Sequence, residues 1–300
     1  MTLVILAAGM GSRYGGLKQL DPITDKGEFI IDFSVYDAIR AGYDKVVFII
    51  KEENYDLFRQ TIGKRIEKYI ETEYVFQSVK VEADVDVPAD RVKPWGTAHA
   101  LLSCLSVVND NFAVINADDF YGPSSFKIVK NYLESVKASD KKEHFCISAY
   151  ILENTLSKSG TVSRGVCTGS EDGMLVDIKE HTKIGYGEKN AVSYSEDGDT
   201  ELDYGSLVSM NFFGFTPVML EYIKGGFDRF LNSADTDLKK GEYYLPTAVK
   251  EAMEEGICDV KLLKTPDKWH GVTYIEDKPE VTASIKQLIQ EGLYPDGLWK

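Results

Sequence analysis

Two cations stand in a glycine-rich segment near the start of the chain. The apolar run at residues 3–6 gives way to Gly9 and Gly11, and Arg13 and Lys18 follow. Glycines let backbone N–H groups approach an anion, and the two side chains add positive charge at the same place. The run itself is apolar on both faces, which is typical of a buried parallel strand. The segment therefore predicts a phosphate-binding strand–loop–helix unit.

The glycine spacing fits neither of two common phosphate loops. A Walker A loop needs Gly-Lys-Ser/Thr, whereas Lys18 is followed by Gln19. In the dinucleotide fingerprint Gly9 and Gly11 fit, but Gly15 comes one residue late. Spacing alone leaves open a turn without a ligand. The two cations favour phosphate binding, because a plain turn does not need them.

Two adjacent carboxylates, Asp118 and Asp119, follow the apolar run at residues 112–116. Neighbouring negative charges are costly unless they are solvated or neutralised. Mg²⁺ prefers one or two carboxylates together with phosphate oxygens. The pair therefore indicates a magnesium site, with a helix N-cap or a solvated turn as the alternative.

Strand-like and helix-like segments alternate through the first half of the chain. The predicted strands are 3–6, 45–50, 74–77, 112–116 and 144–151, and the predicted helices are 30–41, 54–63, 96–105 and 124–138. This alternation predicts a parallel sheet with helices on both faces and ligands at the carboxyl ends of the strands. The glycine segment and Asp118 both fall at such ends.

The second half of the chain is less regular. We expect antiparallel strands in 162–178 and 206–215, an exposed acidic loop at 190–204, helices at 241–255 and 279–291, and a strand at 258–263. One continuous domain over residues 1–300 is the simplest prediction, since no repeat or linker interrupts it.

Composition excludes several classes of function. A formal charge of −14 argues against broad nucleic-acid binding, and no stretch has the apolar length of a membrane helix. The four cysteines form no C-x-x-C pair, so we expect small buried residues in a reducing compartment. The apolar start lacks the basic segment of a signal peptide. The expectation is a cytoplasmic protein.

The glycine-rich segment also carries a resemblance to a known family. The signature loop of the nucleotidyltransferases that activate sugar 1-phosphates is similar to Leu6-Ala7-Ala8-Gly9-Met10-Gly11-Ser12-Arg13 with Leu17-Lys18-Gln19-Leu20. That family joins a sugar phosphate to a nucleoside triphosphate and releases pyrophosphate. The resemblance implies that Arg13 contacts the leaving pyrophosphate and that Lys18 contacts the region of the α-phosphate. The implied nucleotide-binding residues are Ala7, Ala8, Gly9, Gly11, Ser12, Gln77, Gly96 and Thr97, the last two in a segment that resembles the family's nucleobase contact.

The resemblance also implies a metal and an acceptor site. Asp118 matches the family's metal-binding aspartate, and Glu180 and Asn211 match residues that bind the sugar. Many relatives place a lysine after that glutamate to contact the sugar phosphate; here His181 stands there, and Lys183 follows. The implied acceptor-binding residues are Glu180, Lys183 and Asn211.

The second metal ligand departs from the family pattern. Relatives often carry an aspartate shortly after a tryptophan, whereas the counterpart after Trp269 is Gly271. Asp277 or Glu276 could substitute, and we select Asp277. The alternative for Asp277 is an N-cap of the final helix, with Pro279 in its first turn.

The resemblance implies a three-layer α/β/α Rossmann-like fold with a mixed, mainly parallel sheet. Residues 1–150 would bind the nucleotide, and residues 151–300 would bind the sugar phosphate. The implied activity is Mg²⁺-dependent nucleotidyl transfer to a sugar 1-phosphate. A cytidylyltransferase acting on a non-sugar phosphate such as phosphocholine, and a non-catalytic nucleotide sensor, are the alternatives. The implied partners are a nucleoside triphosphate and a sugar 1-phosphate, with no nucleic acid and no membrane. The sequence leaves the oligomeric state open, and a homo-oligomer is one alternative.

Overall fold

The computed structural model describes residues 1–8, 22–81, 85–136, 142–272 and 274–300. Five predicted site residues lie outside these ranges: Gly9, Gly11, Ser12, Arg13 and Lys18. The strands are β1 Thr2–Leu6, β2 Lys45–Ile50, β3 Glu71–Phe76, β4 Phe112–Asn116, β5 Asp119–Phe120, β6 Glu143–Ile151, β7 Val162–Gly169, β8 Leu175–Gly185, β9 Ala191–Ser193, β10 Thr200–Leu202, β11 Leu207–Phe215, β12 Cys258–Lys264 and β13 His270–Gly271. The helices are α1 Ile30–Ala41, α2 Tyr55–Phe58, α3 Lys64–Ile66, α4 Thr97–Leu102, α5 Pro123–Ser135, α6 Val218–Asn232, α7 Leu245–Glu254 and α8 Lys278–Gln290.

The first half of the chain builds the parallel part of the sheet. The strands β3, β2, β1 and β4 lie side by side in that order, and each neighbouring pair is parallel. Val4 pairs with Val47 on one side and with Val114 on the other. All three strands are apolar except for one terminal residue each, because both faces of the sheet are covered.

Antiparallel strands continue the sheet from β4. The strand β11 pairs with β4, β6 and β7, and β8, β9 and β10 follow outward from β7. The strand β12 runs parallel to β6. Within the described ranges the main sheet has eleven strands, while β5 and β13 form a small separate ladder. The predicted mixed, mainly parallel sheet with helical layers is confirmed.

Each face of the sheet has its own apolar core. Val4 points into the core beneath α4, α6 and α7, whereas Leu3 and Ile5 point into the core beneath α1 and α5. The final helix, α8, packs through Val281 and Ile285 against the outer side of α1. Alternate residues of β1 thus pack against the helices on opposite faces of the sheet.

Several predicted elements match the structure closely. The helix at 30–41 and the strand at 45–50 are confirmed, and Gly42 ends α1 in the left-handed conformation with φ 88°. The helix predicted at 54–63 is confirmed as one continuous helical segment, in which α2 passes through a π-helical turn, Arg59–Gly63, into α3. None of the helices in the described ranges is long and apolar enough to span a bilayer.

The prediction of an exposed loop at 190–204 is confirmed for residues 194–199 and wrong for the two short strands on either side of them. This segment forms the hairpin β9–β10, in which Glu201 pairs with Val192. The hairpin extends the sheet because β9 also pairs with β8 through Ile184 and Ser193. Strands of three residues are too short to show a recognisable alternation of apolar and polar residues. The acidic residues of the turn between them therefore led to the prediction of a loop.

Candidate functional site

The carboxyl ends of β1 and β4 are neighbours, because Leu6 pairs with Asn116. Ala7 and Ala8 continue from β1 and are 4% exposed. The Ala7 N–H donates to the carbonyl of Ile49 at 2.8 Å, which fixes the start of the segment toward Gly9. The predicted phosphate segment and the predicted metal-binding segment therefore leave the sheet side by side.

The predicted nucleobase residues come together at the end of β3. The Gln77 side-chain amide donates to the Gly96 carbonyl at 3.3 Å. The Thr97 hydroxyl accepts from the N–H of Leu245 at 2.9 Å, and Ala98 N–H donates to the Tyr243 carbonyl at 3.0 Å. Gln77, Gly96 and Thr97 thus form one wall, and the start of α7 supports it from behind.

Gly96 is required at this crossing. Its φ is 98°, and a Cβ added there would lie 2.5 Å from the carbonyl oxygen of Tyr243. Any larger residue would therefore push two backbone segments apart. Gly96 also precedes α4, so its conformation sets the direction in which Thr97 and the helix leave the wall.

A buried arginine that the sequence analysis missed ties this wall together. Arg91 is 6% exposed, and its guanidinium carbon lies 3.3 Å from the centre of the Trp95 ring. Its Nη atoms donate to the carbonyls of Leu238, Pro94 and Gly241 at 2.8–2.9 Å. Arg91 thereby clamps the segment around Trp95 to the chain that precedes α7.

A polar cleft opens beside the carboxyl end of β4. Its volume is about 200 Å³. Three residues predicted from the family resemblance share it: Asp118, Glu180 and Asn211. The full lining is Asn116, Asp118, Asp119, Ser163, Arg164, Gly165, Glu180, Ser209, Met210, Asn211, Pro246 and Trp269. We call this the acceptor cleft.

Asp119 is a buried carboxylate on the wall of the acceptor cleft. Its Oδ2 accepts from the Asn116 amide at 2.9 Å and lies 3.2 Å from the Tyr121 hydroxyl. Burial raises the pKa of Asp119 to about 7, and the negative charge of Asp118 adds to the increase. Two carboxylates in this position repel one another, so a cation beside them would stabilise both.

Gly271 stands where the family resemblance implies an aspartate. It pairs with Asp119 across the β5–β13 ladder. A Cβ at Gly271 would lie 2.3 Å from the Trp269 ring and 2.9 Å from Asp119 Oδ1. The position therefore has no room for a second aspartate, and the Asp119 carboxylate lies against it instead.

Asn211 reaches the acceptor cleft through a distorted strand. The register of β11 shifts between Ser209 and Phe213, and Asn211 adopts a φ of 60° at this point. Asparagine tolerates this left-handed region better than most residues. The bulge turns the backbone locally, a common way to aim a side chain at a site. Local strain of this kind is often found where function requires it.

Glu180 stands on β8 at the mouth of the cleft. Its Oε1 accepts from the Ser163 hydroxyl at 2.9 Å. Gly165 lies opposite Glu180 in the β7–β8 ladder. A Cβ at Gly165 would lie 3.1 Å from the Ile178 side chain, so the glycine leaves room for Ile178 between the two strands.

Arg164 is the cation of this cleft, and the sequence analysis missed it. Its side chain is 6% exposed, and its guanidinium stacks on Trp269 with 4.7 Å between the guanidinium carbon and the ring centre. Along β7 its neighbour Ser163 faces solvent, whereas Val162 and Arg164 are buried. The sequence did carry one signal for this residue, because an arginine at an inward-facing position of an alternating strand is uncommon.

Two of the residues predicted for the acceptor and metal sites do not line the acceptor cleft. Lys183 is exposed on β8. Asp277 precedes α8, and its carboxylate accepts from the Ser157 hydroxyl at 2.8 Å and the Tyr274 N–H at 2.9 Å. Asp277 lines a neighbouring cleft of about 400 Å³, which shares Trp269 with the acceptor cleft.

Comparison with known proteins agrees with this architecture. Three similar solved structures are a UDP-glucose pyrophosphorylase in complex with UDP-glucose, the inositol-1-phosphate CTP transferase from T. maritima, and a putative glucose-1-phosphate thymidylyltransferase from Bacillus anthracis in complex with a sucrose. Their identities to this chain are 17%, 14% and 16%, and their TM-scores are 0.60, 0.62 and 0.64. The matches cover 95%, 96% and 95% of this chain and 98%, 96% and 95% of theirs. At such identities the likeness shows the fold.

Sequence comparison shows the family. No curated protein sequence matches the chain. The model of the family described as nucleotidyl transferase matches residues 2–287, which is nearly the whole chain. With this match, the chain belongs to the nucleotidyl transferase family.

Proposed function

We propose that this protein transfers a nucleoside monophosphate from a nucleoside triphosphate to a sugar 1-phosphate and releases pyrophosphate. The observation that carries the proposal is the acceptor cleft, in which Asp118, Glu180 and Asn211 meet beside the carboxyl end of β1. Hydrogen-bonding groups for sugar hydroxyls thus stand next to the segment proposed to bind phosphates. The names of two similar structures, a UDP-glucose pyrophosphorylase and a glucose-1-phosphate thymidylyltransferase, support a sugar acceptor.

The nucleotide would lie across the carboxyl ends of the parallel strands. Gln77, Gly96 and Thr97 would contact the base, and the segment from Ala7 to Lys18 would hold the triphosphate. In that segment we assign Arg13 to the leaving pyrophosphate and Lys18 to the α-phosphate. These assignments rest on the resemblance of the loop and on the position of Ala7 and Ala8 at the end of β1.

The reaction needs no covalent intermediate with the protein. An oxygen of the acceptor phosphate attacks the α-phosphorus in line, and pyrophosphate leaves on the opposite side. Because that oxygen is already ionised, no general base is required. The protein then accelerates the reaction by holding both substrates in line and by stabilising charge on the phosphate oxygens.

We propose that Asp118 binds the Mg²⁺ ion that the family resemblance implies. The donor chemistry fits, because Asp118 and Asp119 present carboxylate oxygens to one cleft. Among the described residues, His, Cys, Asp and Glu side chains form no group of three that could hold a metal ion. Such a site would therefore rely on phosphate oxygens and water for its other ligands. A bound Mg²⁺ would neutralise negative charge on the phosphates during transfer.

Two residues compete for the second metal contact. Asp277 stays our sequence-based prediction, but its carboxylate lines another cleft. Asp119 lines the same cleft as Asp118 and fills the space opposite Gly271. The geometry therefore favours Asp119 as the nearer partner of Asp118.

A non-sugar phosphate is the second candidate acceptor. One similar structure is named an inositol-1-phosphate CTP transferase, so this fold also serves a cytidylyltransferase. Glu180 and Asn211 could bind hydroxyls of a phosphorylated polyol as well as those of a sugar. We also propose, from the sequence alone, the division at residue 150 into nucleotide and acceptor halves and a cytoplasmic location.

Pyrophosphate release tests the proposed reaction. The purified protein is mixed with each of four nucleoside triphosphates and with glucose 1-phosphate, inositol 1-phosphate or phosphocholine, with and without Mg²⁺. Release confined to one nucleotide and a sugar 1-phosphate supports the proposal, whereas release with another acceptor replaces it by the second candidate. Nucleotide binding without any release would indicate a sensor and contradict the proposed activity.

A further inference from the structure

We propose that Arg164 and the indole N–H of Trp269 together bind the phosphate group of the acceptor. The proposal rests on the proposed function for the identity of this phosphate. It assigns the acceptor phosphate to β7 and to the residue before β13, and not to Lys183 on β8. The ligand class is a phosphate monoester dianion carried by a hydroxylated acceptor.

Arg164 is a buried cation whose hydrogen bonds to the described residues all go to neutral groups. Its Nε donates to the Thr155 hydroxyl at 3.1 Å, and Nη1 donates to the Ser163 carbonyl at 2.7 Å. Its Nη2 donates to the Thr155 carbonyl. Guanidinium carries five N–H groups, so these three bonds leave two donors. Over the described ranges, no carboxylate lies within 4.0 Å of this guanidinium.

A buried charge without a counter-ion is costly, and proteins normally pair it. Burial lowers the pKa of Arg164 to about 10, while the more distant carboxylates of Asp119, Glu180 and Asp277 raise it. Arg164 therefore stays protonated at neutral pH. The acceptor cleft therefore lacks a counter-ion in contact with the Arg164 guanidinium, and an anion bound in the cleft would supply one.

Trp269 provides an independent sign of a ligand. Its side chain is 7% exposed, and its Nε1 is buried without a hydrogen-bond partner among the described residues. Unsatisfied buried donors are uncommon in native proteins and call for an explanation. Because Trp269 lines the acceptor cleft and stacks on Arg164, one anionic ligand could accept from both side chains.

The chemistry of the cleft favours phosphate as that anion. Arg164 is the one cationic side chain among the described residues that line it. Glu180 and Asp118 would repel a carboxylate or phosphate placed elsewhere in the cleft. Arginine is well suited to this role, because its planar donors match phosphate oxygens.

The cations predicted from the sequence are less well placed. Lys183 is exposed and does not line the acceptor cleft. His181, the residue after Glu180, is engaged through Nδ1 with the Ser193 hydroxyl at 2.7 Å. A cation is still needed for the acceptor phosphate, and Arg164 supplies it from the adjacent strand.

Isothermal titration with glucose 1-phosphate, with glucose and with inorganic phosphate tests the assignment. Trp269→Phe keeps an aromatic ring under Arg164 but removes the N–H donor together with one ring of the indole, so we expect a loss of glucose 1-phosphate affinity of about tenfold. Arg164→Lys keeps the charge but loses the planar donors, and we expect a loss of about tenfold or more. Glucose affinity should stay within twofold in both variants.

Lys179→Gln is the matched control, because Lys179 is an exposed cation on β8 that does not line the cleft. It should bind glucose 1-phosphate as the wild type does. Thermal unfolding of each variant checks that it is folded. If Arg164→Lys fails to fold, the glucose 1-phosphate affinity of Trp269→Phe alone tests the assignment. In steady-state assays the acceptor KM should rise while the nucleotide KM stays constant.

Two outcomes separate this proposal from the proposed function. Wild-type affinity in Trp269→Phe, or a selective loss in Lys183→Gln, would overturn the assignment while the nucleotidyl transfer stands. If the wild type binds inorganic phosphate through Arg164 but no sugar phosphate, the proposed acceptor is wrong and the anion site stands.

Discussion

Replacing Gly96 by alanine should disturb the wall formed by Gln77, Gly96 and Thr97, and should destabilise the fold more than alanine does at a glycine with open space around it. Gly96 has a φ of 98°, and its added Cβ would lie 2.5 Å from the Tyr243 carbonyl oxygen and 2.8 Å from the Tyr243 nitrogen. Contacts of Cβ atoms below 3.0 Å are essentially absent from proteins, so the backbone must shift. The two segments that form the wall then separate.

The expected magnitude has two parts. An unfavourable φ in this region costs about 1–3 kcal/mol. Separation also stretches the hydrogen bonds from Ala98 N–H to the Tyr243 carbonyl and from Tyr243 N–H to the Trp95 carbonyl, which measure 3.0 and 2.7 Å. Losing one of them costs about 1 kcal/mol. We therefore expect Gly96→Ala to lower the free energy of unfolding by roughly 3 kcal/mol.

Gly256→Ala is the control for backbone conformation alone. Gly256 follows α7 with a φ of 73°, and a Cβ there would meet nothing within 4 Å. That variant should lose about 1–2 kcal/mol through the left-handed conformation. Urea unfolding gives both free energies, and titration with the preferred nucleoside triphosphate gives both affinities.

We expect Gly96→Ala to bind the nucleotide at least tenfold more weakly, because Gln77 and Thr97 are displaced with the backbone. Gly256→Ala should bind it normally. Equal stability losses in the two variants, together with unchanged nucleotide affinity in Gly96→Ala, would refute the close crossing at Tyr243 and its role in holding the wall.

Three further predictions concern the acceptor cleft and the core. Asn211→Ala should lose about 1–2 kcal/mol of stability through its positive φ, whereas Asn211→Gly should not, and both should raise the acceptor KM; equal stabilities in urea would contradict the strain. Asp118→Asn should weaken Mn²⁺ binding at least tenfold in electron paramagnetic resonance titrations, and wild-type affinity would remove Asp118 from the metal site. Asp37 is buried, and burial raises its pKa to about 8, so the folded state keeps a proton that the unfolded state has lost, and wild-type stability should fall as the pH rises from about 4 to about 8. Asp37→Asn should abolish this slope, and parallel stability–pH curves for the two proteins would count against it.

The parallel core could be predicted because its signals are local. The runs at residues 3–6, 46–50 and 112–115 are apolar at every position, which strands covered on both faces require. The hairpin β9–β10 could not be predicted, because its three-residue strands are held by β8 and not by their own pattern.

The candidate site was predictable in its carboxylates and not in its cation. Asp118 lies at a strand end, where the sheet topology itself gathers ligand groups. Glu180 and Asn211 came from the resemblance, but the distortion that gives Asn211 its positive φ is a property of strand pairing. Arg164 was missed because the sequence of β7 does not reveal which face borders a cleft.

The position of the transferred phosphorus tests the central claim most directly. The enzyme is supplied in parallel with its nucleoside triphosphate labelled at the α- or the γ-phosphate, together with the sugar 1-phosphate, and the products are separated. Nucleotidyl transfer predicts that the α label enters the nucleoside diphosphate sugar and that the γ label leaves in pyrophosphate. Gamma label on the sugar, or in free inorganic phosphate without a nucleoside diphosphate sugar, would contradict it.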